Sequence, residues 1–244
     1  MNEKVAEIKG LYQSFGSQEV LKNLSLDLYK GENLVVLGKS GTGKSVLIKC
    51  LVGLIGIDKG TMTILGKSVE TANEKELIEI RKKVGFLFQS AALYDSMSVR
   101  ENLEFPLKRI EKNITKSDID ARVSEALENV GLLDAIDKMP SQLSGGMRKR
   151  VGLARTIVLK PEIILYDEPT TGLDSITSRE ISDLILSLQK KYNTSSIIIT
   201  HDMPCAKLTA NRIIILADGK EIGEGSYDEL ANSTDSLINS FFKH

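Results

Sequence analysis

Short uninterrupted apolar runs, each closed by a polar or glycine-rich segment, punctuate the chain. Val35-Val36-Leu37, Val84-Gly85-Phe86-Leu87-Phe88, Ile163-Ile164-Leu165-Tyr166 and Ile197-Ile198-Ile199 are of this kind, and they predict buried strands. A second pattern, alternation, runs through Val20-Leu21-Lys22-Asn23-Leu24-Ser25-Leu26-Asp27-Leu28 and predicts a strand of an antiparallel subdomain. Met62–Leu65 reads as a further strand, separated from Val84–Phe88 by a charged helix over Asn73–Lys82. Val46–Val52 reads as a helix packed on its neighbours. Ser117-x-x-Asp120 has the form of a capping box and predicts the start of a helix with Ile119, Val123, Ala126, Leu127 and Val130 on one face, ended by Gly131. Asp174 predicts the start of another, with Ile181, Leu184, Ile185 and Leu188 at helical spacing. Strand and helix alternate, which predicts a mostly parallel sheet with helices on both sides.

Composition narrows the class. At 244 residues and 41% hydrophobic, the chain can bury a sizeable core. The net charge is −1, with no block of five like charges, so there is no electrostatic case for binding nucleic acid. Cys50 and Cys205 form neither a metal nor a disulfide pattern and read as reduced residues of a cytosolic protein. No signal peptide is read before Val5, and no apolar run approaches transmembrane length. Any membrane connection is expected to come through a partner.

The chemistry lies where the apolar runs end. Val35–Leu37 leads into Gly38-Lys39-Ser40-Gly41-Thr42-Gly43-Lys44-Ser45, which fits G-x-x-x-x-G-K-[ST] without deviation. The strand before it and the helix after it are the context that a phosphate-binding loop needs. Glycines let the backbone curl until N–H groups converge on phosphate oxygens, and the helix N-terminus adds its positive dipole end. Lys44 is suited to reach the β- and γ-phosphates, and the Ser45 hydroxyl to bind Mg²⁺. A chance Gly/Ser-rich turn is the competing reading, and the flanking elements disfavour it. Glu162–Glu168 delivers Asp167 and Glu168 at the C-terminal end of its strand, where open parallel sheets bind ligands. Asp167 suits Mg²⁺, which takes carboxylate and water ligands. Glu168 can polarise an attacking water as general base. His201 follows Ser196–Thr200, and Gln89 follows Val84–Phe88. A lone histidine is usually structural, but the end of a central strand is a ligand-facing position.

Downstream stands Leu143-Ser144-Gly145-Gly146. In this order with the phosphate loop and the Asp167-Glu168 strand, it resembles the signature of the ATP-binding cassette (ABC) family. The resemblance covers almost the whole chain. It implies an α/β P-loop NTPase (RecA-like) fold: a mostly parallel sheet core, an antiparallel β subdomain and an inserted α-helical subdomain. Residues 1–244 would form a single domain, with a catalytic core and β subdomain over 1–89 and 160–226. The helical and signature subdomain would occupy 90–159, and a C-terminal helical tail 227–244. The resemblance further implies hydrolysis of ATP, with Mg²⁺, between two copies of the chain. His201 would contact the γ-phosphate, and Gln89 would sense Mg²⁺ and the attacking water. Asp174, in Gly172-Leu173-Asp174, belongs to a loop that would meet the opposite copy. The Ser144 hydroxyl and the N–H groups of Gly145 and Gly146 would carry the signature's phosphate contacts. Phe15 resembles the aromatic that stacks on adenine; Tyr12 is close by, and a buried core aromatic is the alternative. Met147 stands where many relatives have Gln. A thioether cannot replace an amide's hydrogen bonds, but the phosphate contacts do not use that side chain. Ser175 stands where relatives often have Pro.

The stretch Gln89–Leu107 is rich in apolar residues; an ordinary helical subdomain core accounts for part of that pattern, and the resemblance implies that in transporters of this family the region receives a helix of the membrane subunit. Together with Met139–Arg150 it resembles the Mla/Mce-type ATPases, which drive phospholipid trafficking in the bacterial envelope. The partners so implied are a second copy, a multi-pass membrane permease and a lipid-binding substrate protein, at the cytoplasmic face of the inner membrane. A small-solute importer ATPase is a second reading. A third, an ABC protein acting on DNA or ribosomes, lacks the coiled-coil insertion or tandem cassette it would need. In the tail, Leu237, Ile238, Phe241 and Phe242 fall on one helical face. That face is expected to dock either on the chain's own core or on the second copy.

Overall fold

A computed structural model describes residues 3–243. The chain opens with β1 (Lys4–Phe15), β2 (Gln18–Tyr29) and β3 (Asn33–Leu37), then α1 (Lys44–Leu51). β4 (Lys59–Ile64) and β5 (Lys67–Ser68) precede α2 (Glu74–Lys83) and β6 (Val84–Leu87). Three helices come next without a strand between them: α3 (Val99–Ile110), α4 (Lys116–Asn129) and α5 (Gly145–Ile157). Alternation resumes through β7 (Ile163–Asp167), α6 (Ser175–Tyr192), β8 (Ser195–Thr200), α7 (Met203–Thr209) and β9 (Arg212–Ala217). β10 (Lys220–Gly225), α8 (Tyr227–Ala231) and α9 (Ser236–Asn239) complete it.

Two sheets result. A four-stranded antiparallel sheet has the order β2-β1-β4-β5, and a six-stranded sheet the order β10-β9-β3-β8-β7-β6. In the larger sheet only β10 runs antiparallel to its neighbour. Every residue of β3, β7 and β8 is buried, as expected of parallel strands covered on both faces. Their side chains alternate between two separate cores. Val35, Leu37, Ile164, Tyr166 and Ile198 join the core under α3–α6. Leu34, Val36, Ile163, Leu165, Ile197 and Ile199 join the core shared with the antiparallel sheet and α1. The α/β, mostly parallel architecture expected from the sequence is thus present.

Two local expectations are corrected. α4 is capped by Thr115 and not by Ser117: the Thr115 hydroxyl accepts from Asp118 N at 3.1 Å and donates to Asp118 Oδ2 at 2.7 Å. Thr115-x-x-Asp118 offers the same pattern two residues earlier, so the helix gains its first turn there. In the tail, α8 and Ser236–Asn239 are helical, and the four apolar residues at 237–242 do not form one face. Ile238 is buried, and Phe241 and Phe242 pack partly buried against the same core. Phe242 meets Tyr227 edge-on at 5.3 Å, while Leu237 stays 52% exposed. The tail's last residue, His244, lies outside the described residues.

Asn102 shows how α3 fixes the segment ahead of it. Its buried amide accepts from Tyr94 N at 2.9 Å and donates to the carbonyls of Tyr94, Met97 and Ser98 at 3.0–3.1 Å. Asn102→Ala strips these buried main-chain groups of their partner, and a loss of about 1–3 kcal/mol is expected in urea unfolding.

Candidate functional site

Strands β3, β8, β7 and β6 end level with one another. Leu37 pairs with Thr200, Ile199 with Asp167, and Tyr166 with Leu87. The residues just past each strand therefore emerge at one edge, where a parallel sheet binds its ligand. A cleft of about 320 Å³ opens there, and Gly43, Lys44, Ser45, Gln89, Glu168 and His201 line it.

The loop between β3 and α1 wraps around the Lys44 side chain. Gly43 has φ +101, and a Cβ there would come within 2.8 Å of Leu21. A Cβ on Gly38 would lie 2.6 Å from the Leu216 carbonyl. Both positions therefore need glycine. Lys44 is only 5% exposed. Its ammonium donates to Gly38 O at 2.7 Å and Lys39 O at 3.0 Å, and lies 3.4 Å from Glu168 Oε1. Thr42 Oγ1 closes the turn on Lys39 O. Ser40 and Gly41 form the exposed rim. The first turn of α1 has no side-chain cap and lines the cleft at Lys44, Ser45 and Val46, where helix N–H groups suit an anion. This cradle of glycines, orphan amides and an ammonium fits a polyphosphate.

Ser45 Oγ lies 3.1 Å from Asp167 Oδ1. Burial pushes the Asp167 carboxyl above its usual range, the Glu168 charge adds to this, and the Ser45 bond opposes it. A desolvated carboxylate beside a hydroxyl is an all-oxygen donor pair of the kind Mg²⁺ takes. Among the described residues no cluster of three or more His, Cys, Asp or Glu forms a metal site. Phosphate and water oxygens would have to complete the shell.

Glu168 is held in an uncommon conformation. Its φ is +48, left-handed for a non-glycine residue. Glu168 N donates to Ile199 O at 3.0 Å. Its Oε2 accepts from Thr171 Oγ1 and His201 N, each at 3.3 Å, and meets His201 Nδ1 at 2.9 Å. His201 itself is half exposed. Asp202 anchors its segment by accepting from Thr170 Oγ1 at 2.7 Å. Gln89 is exposed, and its carbonyl accepts from the buried Lys149, a residue that no sequence motif singled out.

Other predicted residues lie apart. Phe15, Ser144, Gly145, Gly146 and Asp174 do not line the cleft. Phe15 is 50% exposed at the end of β1, whereas Tyr12 is part-buried with the Lys59 ammonium over its ring. Ser144 caps α5 by accepting from Met147 N, and Ser144 and Gly145 are exposed. Met147 packs on the helical core. Asp174 caps α6 through Thr177 N and Ile176 N, and the bonds from the Thr177 amide and hydroxyl hold its carboxyl below the usual range. A larger, more apolar cleft of about 730 Å³ between α6 and α7 offers no comparable phosphate cradle.

The sequence model of the family described as "ABC transporter" matches residues 21–171. The chain is 40% identical over 235 residues to the probable ribonucleotide transport ATP-binding protein mkl of Mycobacterium leprae, covering 96% of this chain and 67% of that protein. It is 37% identical over 243 residues to the intermembrane phospholipid transport system ATP-binding protein MlaF of Haemophilus influenzae, covering 100% and 92%. Among solved structures, the ATP-binding cassette MJ0796, captured as a post-hydrolysis dimer bound to ADP and Pi, superposes with a TM-score of 0.82 at 31% identity, covering 91% of this chain and 98% of that one. Matched over most of its length by relatives whose ATP-binding function is in their names, and with the phosphate cradle in place, the chain belongs to the ABC transporter family and is one of its ATPases, an ATP-binding subunit.

Proposed function

We propose that two copies of this chain close face to face around two ATP molecules and drive a multi-pass permease in bacterial envelope phospholipid trafficking. The convergence of Lys44, Ser45, Asp167, Glu168 and His201 on one cleft carries the catalytic part. The phosphate loop, Gly38 to Ser45, cradles the β- and γ-phosphates, with Lys44 shifting from Glu168 toward phosphate. Ser45, Asp167 and Gln89 hold Mg²⁺, which supplies charge stabilisation at the phosphoryl oxygens when bound. Glu168 takes the proton of the attacking water. His201, bonded to that carboxylate, orients it and faces the γ-phosphate. Phe15 presents its exposed ring to adenine. Ser144, Gly145 and Gly146 lie outside their own chain's cleft, which suits them to complete the cleft of the second copy, with Asp174 nearby at the same interface. The dimeric form of the MJ0796 relative supports this arrangement.

Identity to the Haemophilus phospholipid transport protein along the whole chain supports the lipid cargo. A methionine import protein of Clostridium tetani, 37% identical over 216 residues, supports the second reading, a small-solute importer. Among the described residues no helix is long and apolar enough to cross a membrane. In this reading the chain sits at the cytoplasmic face of the inner membrane through the permease, with a lipid-binding substrate protein as the further partner. Tyr94 and Phe105, exposed and with ring centroids 5.1 Å apart, form the apolar surface on which the permease docks, with Leu93 and Met97 beside them.

Three outcomes are expected. Glu168→Gln retains ATP binding and accumulates an ATP-bound dimer, while turnover in a phosphate-release assay falls roughly 10²–10⁴-fold. Lys44→Ala and Ser144→Arg chains are each inactive alone. Mixed, they regain activity, because one composite site then carries both lesions and the other none; failure to complement counts against the shared site. Tyr94→Asp weakens co-purification with the permease by more than roughly tenfold through a buried charge, with ATP affinity unchanged. Proteoliposomes of the complex loaded with fluorescent phospholipid or with methionine distinguish the cargoes by which one moves with ATP.

A further inference from the structure

Helix α5 does more than present the signature at its N-terminus. Lys149, Gly152 and Arg155, three residues apart, lie along one of its faces and close on the segment just after β6. The Lys149 side chain is 5% exposed. Among the described residues its ammonium pairs with no carboxylate. It donates instead to two main-chain carbonyls, Gln89 O at 2.5 Å and Glu168 O at 3.1 Å. A Cβ on Gly152 would sit 2.9 Å from both Ala91 Cβ and Leu87 Cδ1, so helix and segment are in direct contact. Arg155 donates to Ala91 O at 2.7 Å and Ala92 O at 2.8 Å, and its guanidinium lies 5.9 Å from the Tyr94 ring centroid. Ala91 and Ala92 both have positive φ, +61 and +47, so the segment is held in a conformation that non-glycine residues avoid.

A buried ammonium is costly unless its donors are used. Burial pushes Lys149 down, while the nearby Asp167 and Glu168 charges oppose that. A methionine or leucine would fill the same space without the cost, yet neither could hold two carbonyls that belong to different strands' ends. Glu168, with φ +48, sits in an uncommon backbone conformation, and the Lys149 ammonium satisfies its buried carbonyl.

We propose that Lys149 is a positioning residue for ATP hydrolysis: it ties the main chain of Glu168 to that of Gln89. The carboxylate is thereby set by the same segment that carries the Tyr94 surface. This rests on Glu168 being the general base of the proposed ATPase site.

The test uses the full chain and steady-state ATPase kinetics, with Glu168→Gln as control. Lys149→Met keeps the stem and removes the donors. Its kcat is expected to fall at least roughly tenfold, with KM for ATP and thermal midpoint nearly unchanged, the mark of an interaction needed only in the transition state. Lys149→Gln, which keeps a donor, is expected to recover part of the loss, and it serves as the second variant if Lys149→Met does not fold. A normal kcat in Lys149→Met overturns the proposal. So does a fall in kcat matched by a lower thermal midpoint and not relieved in Lys149→Gln, which marks a purely structural lysine. If Glu168→Gln is inactive while Lys149→Met is normal, only this inference fails. If Glu168→Gln turns over normally, the reading of the site fails first.

Discussion

Parallel pairing of β6, β7, β8 and β3 forces the peptide after each strand to leave at the same edge, and the site depends on that alignment. Burial on both faces enforces it. Odd and even positions of β3, β7 and β8 enter two different cores. A slip of one residue would exchange the two sets. Tyr166, fully buried under the helices, would then be driven into the core that already holds Leu165, α1 and the antiparallel sheet. Such a slip would also displace Asp167 from Ser45 and Glu168 from His201. Register, and with it the geometry of the cleft, is thus specified by apolar side chains that never touch a ligand.

Inside the cleft the balance runs the other way. Lys44, Asp167, Glu168 and Lys149 are all buried, and burying charge is unfavourable unless it is paired and hydrogen-bonded. Glu168 adds a left-handed backbone, a cost of about 1–3 kcal/mol. The surroundings overdetermine it. Its N–H, its carbonyl and both carboxylate oxygens have partners on β8, α5, the phosphate loop or the turn just beyond β7. Asp167 has less support: one hydroxyl, and a carboxyl raised by burial. The two carboxylates are neighbours in sequence but differ in chemistry. Glu168 is fixed in direction, whereas Asp167 is left wanting positive charge.

Much of this was legible in the sequence because it is local. Apolar runs of a few residues mark strands buried on both faces, and the polar residues at the end of each run mark the edge. Gly38–Ser45, Asp167-Glu168 and His201 each lie at or directly after a strand's end, so a parallel sheet read from the pattern brings them to one edge. Less legible were features that depend on competition or on distant partners. Thr115 and Ser117 both offer a cap with Asp three residues on, and nothing local chooses between them. The tail's apolar spacing suggests a helical face, but the helix stops after one turn, and the aromatics reach the core through the bend beyond it. Lys149 looks like any basic residue of a charged helix, since its partners are carbonyls 60 and 19 residues away. A backbone acceptor leaves no trace in the identity of the residue that carries it.

Backbone acceptors of this kind are also how a nucleotide cleft and the exposed Tyr94 surface can be joined. Tyr94 and the cleft are separated by the segment 89–92, which has no regular structure of its own to transmit force. α5 supplies the stiffness. It is capped at Ser144, packed through Val151, Leu153, Ala154 and Ile157 into the helical core, and buried along much of its length. Its face carries one donor group toward Glu168 and Gln89, a glycine that lets Ala91 approach, and a second donor group toward Ala91, Ala92 and Tyr94. Because these contacts share one rigid element, moving the Tyr94 end without disturbing Glu168 requires breaking the Arg155 or Lys149 bonds, and each break leaves carbonyls unpaired. Moving the helix as a whole would carry Ser144 with it and would pull Glu168 against its bonds to Ile199 and Lys44. α5 therefore ties the Ser144 turn, the segment after β6 and the main chain of Glu168 into one connected unit.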